Sequence, residues 1–288
     1  MNGRAFARNL SLFLCLVPVV ARAGEEHARW YSENIATWHM PFGTVLDPVL
    51  GADGTVSGYS RCGDSALWTG HLLAGESFRY SVTRTPEALD TVHRALAGIR
   101  ALVDVTGDDS LARCLVPTDS PYAPGILSEE EHHGWYRGTW ADQPYYWLGN
   151  TSRDQYSGVF FGLGVAFEVV DDGAVRAEAR ELVTRLLDKL LHNNWVVAMP
   201  DGAWSTVFWG RADQQLAFLS VGRTVNPERY SSDYNIYRLW YASSVATPLA
   251  AEALDQHNSY FKFNLAAINL YHLVRTEGNE YYGWWYRR

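Results

Sequence analysis

Cysteine is scarce in this 288-residue chain, basic clusters are missing, and long apolar runs are absent beyond the first two dozen residues. Only Cys15, Cys62 and Cys114 are present, with no CxxC and no Cys/His spacing that would hold zinc. There is also no phosphate-cradling glycine loop, no Gly-x-Ser-x-Gly nucleophile elbow and no HExxH pair, which removes several common enzyme classes. With 24 Lys and Arg against 32 Asp and Glu, the formal charge is −8. An acidic chain without basic patches argues against nucleic acid and against anionic membrane surfaces as partners. No cofactor motif is found.

The N-terminus carries Arg4 and Arg8, an apolar run from Leu10 to Val20, and then Ala21-Arg22-Ala23. A positive start, a short apolar core and a small-x-small end make a secretory signal, cleaved after Ala23. The run is about half of the ~20 residues that span a bilayer, so a soluble periplasmic or secreted protein is expected. Cleavage removes three arginines and no acid, leaving 21 basic against 32 acidic residues and a net charge of −11. No Pro/Ser-rich linker divides residues 24–288, which read as one domain. After cleavage only Cys62 and Cys114 remain. They either pair, as in many exported proteins, or stay as two buried thiols.

Two kinds of helical segment alternate. Residues 174–193 place Val175, Ala179, Leu182, Val183, Leu186, Leu187, Leu190 and Leu191 on one stripe, opposite Arg176, Glu178, Arg180, Glu181, Arg185 and Lys189. Residues 86–104 repeat this with Leu89, Val92, Leu96, Ile99 and Val103, opened by Thr85-Pro86-Glu87. The segments before them, 65–82 and 155–170, are apolar or small on every side. Each therefore predicts a helix buried all round, with Gly70, Gly75, Gly158, Gly162 and Gly164 admitting close neighbours. Glu76 and Arg79 are spaced to pair on one helix face. Further inner helices are expected at 213–222, before Asn226-Pro227-Glu228, and from Tyr260 to Val274. The aromatic stretches 114–151 and 194–212 read as long loops.

This alternation predicts an all-α fold of inner buried and outer amphipathic helices, an (α/α) toroid or an open α/α hairpin array. The chain resembles the six-hairpin (α/α) toroid enzymes, which include many glycoside hydrolases, such as the unsaturated glucuronyl and rhamnogalacturonyl hydrolases, and some polysaccharide lyases. The resemblance covers most of residues 60–280 and implies a carbohydrate substrate. About four helix pairs are legible. The ending Glu280-Tyr281-Tyr282-Gly283-Trp284-Trp285-Tyr286-Arg287-Arg288 reads as an outer helix that begins and stops, so an incomplete ring or a truncated chain is expected.

Each inner helix opens on polar residues: Gly63-Asp64-Ser65, Ser152-Arg153-Asp154-Gln155, Ala212-Asp213-Gln214-Gln215 and His257-Asn258-Ser259. Parallel inner helices would gather these starts at one end. Singly, Asp64 and Asp213 read as helix N-caps. Together with Asp154 they could supply the two carboxyl groups that glycoside hydrolysis needs. Asp154 is the first catalytic candidate, then Asp64 and Asp213. Arg153, Gln155 and Arg211 are candidates to hold substrate, as are His71, Trp68, Trp147 and Trp209, whose rings suit sugar stacking or simply pack the loops. His71 reads more readily as a hydrogen-bonded core residue. Residues Glu129 to His133 read as a solvated loop face rather than a metal site. A lyase using Tyr or His, or a glycan-binding protein without catalysis, are the competing expectations. Oligomeric state is not legible.

Overall fold

A computed structural model describes residues 24–256, 259–278 and 281–287. Residues 1–23, where the sequence predicts a signal, the polar start His257-Asn258 and Glu280 lie outside the described residues. The chain divides into two compact units, Met1–Met40 and Pro41–Arg288. In the first, residues 24–38 form a helix. The boundary falls inside the stretch that the sequence presents as one domain.

The second unit opens with an antiparallel pair, β1 (Asp47–Leu50) and β2 (Val56–Ser60). Two helices follow, α1 (Ser65–Thr83) and α2 (Pro86–Asp104). A three-stranded antiparallel sheet comes next, made of β3 (Cys114–Pro117), β4 (Trp135–Trp140) and β5 (Gln143–Leu148), with the short helix α3 (Ala123–Glu129) between β3 and β4. The chain returns to helices with α4 (Arg153–Val169) and α5 (Gly173–His192), and then forms the hairpin β6 (Val196–Ala198) and β7 (Trp204–Val207). It ends with α6 (Ala212–Val225), α7 (Pro227–Tyr241), α8 (Thr247–Leu254), α9 (Tyr260–Glu277) and α10 (Tyr281–Tyr286). At 64% helix and 12% strand the fold is mostly helical, but three small sheets depart from the all-α expectation. Two of them, β3-β5-β4 and β6-β7, lie where the sequence suggests aromatic loops, and the β1–β2 pair lies before the first helix pair. Tyr145, Tyr146 and Trp147 pair across to β3 and β4, a use of aromatic and β-branched side chains that short strands favour.

Helices α1, α4 and α6 are the inner ones. Leu67 N donates to Gln155 Oε1 at 2.9 Å, and Gly70 lies against Gly158 and Gly162, so α1 and α4 ascend together. A Cβ on Gly70 would stand 2.1 Å from Gly158 O, and one on Gly162 would stand 2.3 Å from Gly70 O. Only glycine permits this approach. Gly75 is different, because a Cβ there meets nothing within 4 Å. Between α4 and α6, Gln214 Nε2 donates to Ser157 Oγ at 3.0 Å and Phe160 stacks on Phe218 at 4.3 Å, again in parallel order. Helix α9 runs the same way along α4, with Tyr271 against Phe161 and His272 Nδ1 3.1 Å from Glu168 Oε1.

The outer helices bury their apolar stripes as the periodicity predicts. Val175, Ala179, Leu182, Val183, Leu186, Leu187 and Leu190 of α5 are all buried, and Thr85 caps α2 through Ala88 N. Arg100 of α2 reaches Glu178 and Glu181 of α5 at 2.8 and 2.9 Å. Glu76 and Arg79 pair at 2.7 Å. The expectation for α9 needs correction: only Ile268, Asn269, His272, Leu273 and Glu277 are buried, so it covers one face rather than being enclosed. Cys62 and Cys114 are disulfide-bonded within a small core that includes Leu46, Val116, Ile126 and Leu148. The bond ties the entry to α1 onto β3. Among the described residues no helix is long and apolar enough to cross a membrane.

Candidate active site

Because α4, α6 and α9 run in parallel, their N-terminal ends face the same way, and a cavity of about 210 Å³ lies there. Its charged lining consists of Arg153 and Asp154 from α4, Arg211 before α6, Glu252 from α8 and Lys262 from α9, with Ser152 and Gln214 beside them. Helix α8 has no buried residue of its own and contributes Pro248, Leu249 and Glu252 to one wall.

Asp154 sits in the first turn of α4, where the helix dipole favours a carboxylate. Its Oδ1 accepts from the Ser152 hydroxyl. Its Oδ2 has no hydrogen-bond partner among the described residues. Ser152 Oγ in turn accepts from Arg113 Nη2 at 2.9 Å. Arg113 is 9% exposed and also donates to Gly63 O at 2.8 Å and Asn150 O at 3.2 Å, so its guanidinium is held by carbonyls. A fixed cation thus supports Asp154 through one hydroxyl.

Asp213 does not line the cavity. It is buried and takes two hydrogen bonds from Arg211, 3.1 Å to Nε and 2.8 Å to Nη2. Burial works against the Arg211 charge, but Asp213 outweighs it and raises the guanidinium above its ordinary pKa. Arg153 shows the opposite balance. Burial, and then the nearby Arg211, push its pKa down, and it makes one hydrogen bond, to Val207 O at 3.1 Å, and no ion pair among the described residues. Lys262 is paired with Glu252 at 2.9 Å and Asp255 at 3.2 Å, Glu252 foremost in raising its pKa. Gln214, itself buried, leaves Oε1 without a partner among the described residues.

Of the residues singled out from sequence, the structure brings Arg153, Asp154 and Arg211 to the cavity wall and Asp213 directly behind it. The others serve elsewhere. Asp64 occupies the N-cap position of α1 without a side-chain cap bond and pairs instead with Arg61 at 3.1 Å. Gln155 is fully buried and joins α4 to α1. His71 Nδ1 faces Leu67 O at 2.9 Å and Nε2 faces Asn264 Nδ2 at 3.0 Å, so both ring nitrogens are occupied, and burial lowers its pKa. Trp68 packs on His71 and Phe261 along α1 and α9. Trp147 is 2% exposed and stacked on Tyr136 at 4.6 Å, which leaves no ring face for a sugar and corrects its assignment to substrate. Trp209 is 55% exposed but borders different cavities. The Glu129–His133 stretch orders a loop, with Glu129 accepting from Arg61 N and Glu130 from Gly63 N. Among the described residues no group of three His, Cys, Asp or Glu is placed to hold a metal ion.

Sequence reasoning missed Arg113, Ser152, Glu252 and Lys262 as site residues. Arg113 left a signal, a lone charge inside the apolar run Leu111-Ala112-Arg113-Cys114-Leu115-Val116. Glu252 and Lys262 left none, since about a hundred residues separate them from Asp154 and only the fold joins them. Compared with protein-family models, with curated proteins and with solved structures, the chain matches none.

Proposed function

We propose that this protein is an exported carbohydrate-active enzyme that hydrolyses a glycosidic bond with a pair of carboxyl groups, on an open α/α hairpin array of the six-hairpin toroid kind. The observation that carries the proposal is Asp154, propped by Ser152 and Arg113 at the common N-terminal end of the inner helices, in one cavity with Glu252. Parallel inner helices paired with amphipathic outer ones support the architecture. The Cys62–Cys114 bond supports export, because such bonds persist in oxidising compartments.

Hydrolysis needs one carboxyl group to protonate the leaving oxygen and another to activate water or attack the anomeric carbon. Asp154 takes the second role, since its Oδ2 is open while Oδ1 is held. Glu252, ion-paired with Lys262 at 2.9 Å, takes the first: the entering sugar displaces the ammonium, the carboxylate takes a proton from solvent, and that proton passes to the leaving oxygen. Arg153, Arg211 and Gln214 orient hydroxyl or carboxylate groups of the substrate. Elimination is less well supported, because neither Tyr nor His lines the cavity to remove a proton.

The test is release of new reducing ends from a panel of neutral and acidic oligosaccharides. Wild-type protein is expected to be active on at least one. Asp154→Asn should lose at least about a thousandfold in kcat, within the span set by removing a principal catalytic group, with little change in Tm. Glu252→Gln should lose at least about a hundredfold, a general-acid contribution, and Asp64→Asn should stay near wild type. Activity that survives Asp154→Asn would overturn the assignment.

A further inference from the structure

The β6–β7 hairpin carries a second, uncharged feature next to the charged cavity. Trp209, in the turn after β7, borders two cavities of about 450 and 340 Å³. The larger is also lined by Trp195, Tyr237, Tyr241, Gln215 and Ser244, and the smaller by Trp204 and Asn193. Asn194 lines both, and no charged side chain lines either. Trp204 and Trp209 meet edge to face at 5.7 Å and are 64% and 55% exposed.

The backbone beneath is built to hold these rings. Asn194 and Trp195 are consecutive residues in the left-handed region, with φ of 50° and 64°. A bulky side chain rarely adopts it, and such backbone gathers at functional sites. The turn sends Asn194 O to Trp209 Nε1 at 2.8 Å, while Trp195 Nε1 donates to Tyr237 Oη at 2.7 Å. Both indole N–H groups are therefore consumed inside the protein. Trp209 offers solvent flat faces at little further ordering cost, with amide and hydroxyl groups around them.

We infer that this surface is a binding site for a neutral oligosaccharide, with one pyranose ring lodged on each side of the Trp209 indole. The axial C–H face of a sugar packs on an indole, and its hydroxyls find Asn194, Gln215 and Tyr241. Ionic recognition has no group to act through here, and the acidic chain disfavours anions. The site differs from the charged cavity in residues and in ligand: it holds neutral chain, whereas Arg153 and Arg211 face the bond to be cut. It rests on the carbohydrate reading above but not on catalysis by Asp154.

The test is isothermal titration and tryptophan-fluorescence titration of the purified protein with cellohexaose, mannohexaose and maltohexaose, with trigalacturonate as an acidic control. At least one neutral hexasaccharide is expected to bind and quench fluorescence. Trp209→Ala should weaken it at least about tenfold, as loss of one stacked ring would. Trp204→Ala, a change at a more exposed ring, should weaken it severalfold, and Asp154→Asn should leave it within about twofold, below the tenfold that 1.4 kcal/mol gives. Retained far-UV circular dichroism checks that each variant folds. The inference is overturned if no neutral hexasaccharide binds, if binding survives Trp209→Ala, or if Asp154→Asn abolishes it. It is also overturned if the two tryptophans prove instead to hold a second copy of the chain, seen as a dimer in light scattering that Trp209→Ala dissociates. Binding without hydrolysis would remove the catalytic reading alone, and hydrolysis without this binding would remove the present one alone.

Discussion

Arg211 holds Asp213 through two hydrogen bonds although only Ala212 separates them, and this turns a predicted catalytic carboxylate into a support for the cavity wall. Removing one member of a buried charged pair leaves the other uncompensated, at roughly 3–5 kcal/mol when both are deeply buried. Arg211 keeps 30% of its side chain exposed, which lowers the expected loss for Asp213→Ala to about 2–3 kcal/mol. Urea unfolding measures it. Asp154→Ala, at a more open position, is expected to cost under about 1 kcal/mol; equal losses for the two would deny them different roles.

The α1–α4 crossing makes opposite predictions for two glycines of one helix. Gly70→Ala puts a methyl group 2.1 Å from Gly158 O, so the helices must separate, at about 1–3 kcal/mol or more. Gly75→Ala meets nothing within 4 Å and gains helix propensity, roughly 0.8–1 kcal/mol of stabilisation. Thermal unfolding of both variants is the check, and the two Tm shifts should have opposite signs.

The disulfide spans a sequence separation of 52 residues. Chain-entropy reasoning gives about 4 kcal/mol for closing such a loop. The double variant Cys62→Ser/Cys114→Ser should therefore unfold roughly 8–16 °C lower than wild type, at about 2–4 °C per kcal/mol for a chain of this size. Reductant should lower the Tm of wild type but not of the variant.

Burial lowers the pKa of His71 below the usual 6.5. The unfolded chain then binds the proton more readily than the native one. Stability from this group is complete above about pH 6.5 and falls as the pH drops from there towards the folded pKa. His71→Gln should flatten the decline in urea stability between about pH 6.5 and 5, the window below the free-histidine value. An unchanged slope would show that other groups govern it.

The helices were legible because their signals are local. A 3.6-residue apolar stripe and Thr85-Pro86 specify α2, and a nearly charge-free run specifies α4, whatever lies far along the chain. The strands were not, because β4 and β5 contain aromatics that suit a loop equally well, and pairing partners rather than composition made them a sheet. For the site, local context distinguished the polar run Ser152-Arg153-Asp154, but Asp64 carries similar context and serves Arg61.

What the sequence by itself determined is the mostly helical character, the division into inner and outer helices and the glycines that let α1 meet α4. These follow from periodicity, from charge and from the absence of a Cβ. Only the tertiary structure decided which carboxylates share a cavity, that Arg113 and Ser152 stand behind Asp154, and that Trp147 is packing whereas Trp209 faces solvent. Each of those depends on contacts between residues far apart in the chain, whose distances are set by how whole helices and hairpins pack, and no local pattern encodes that.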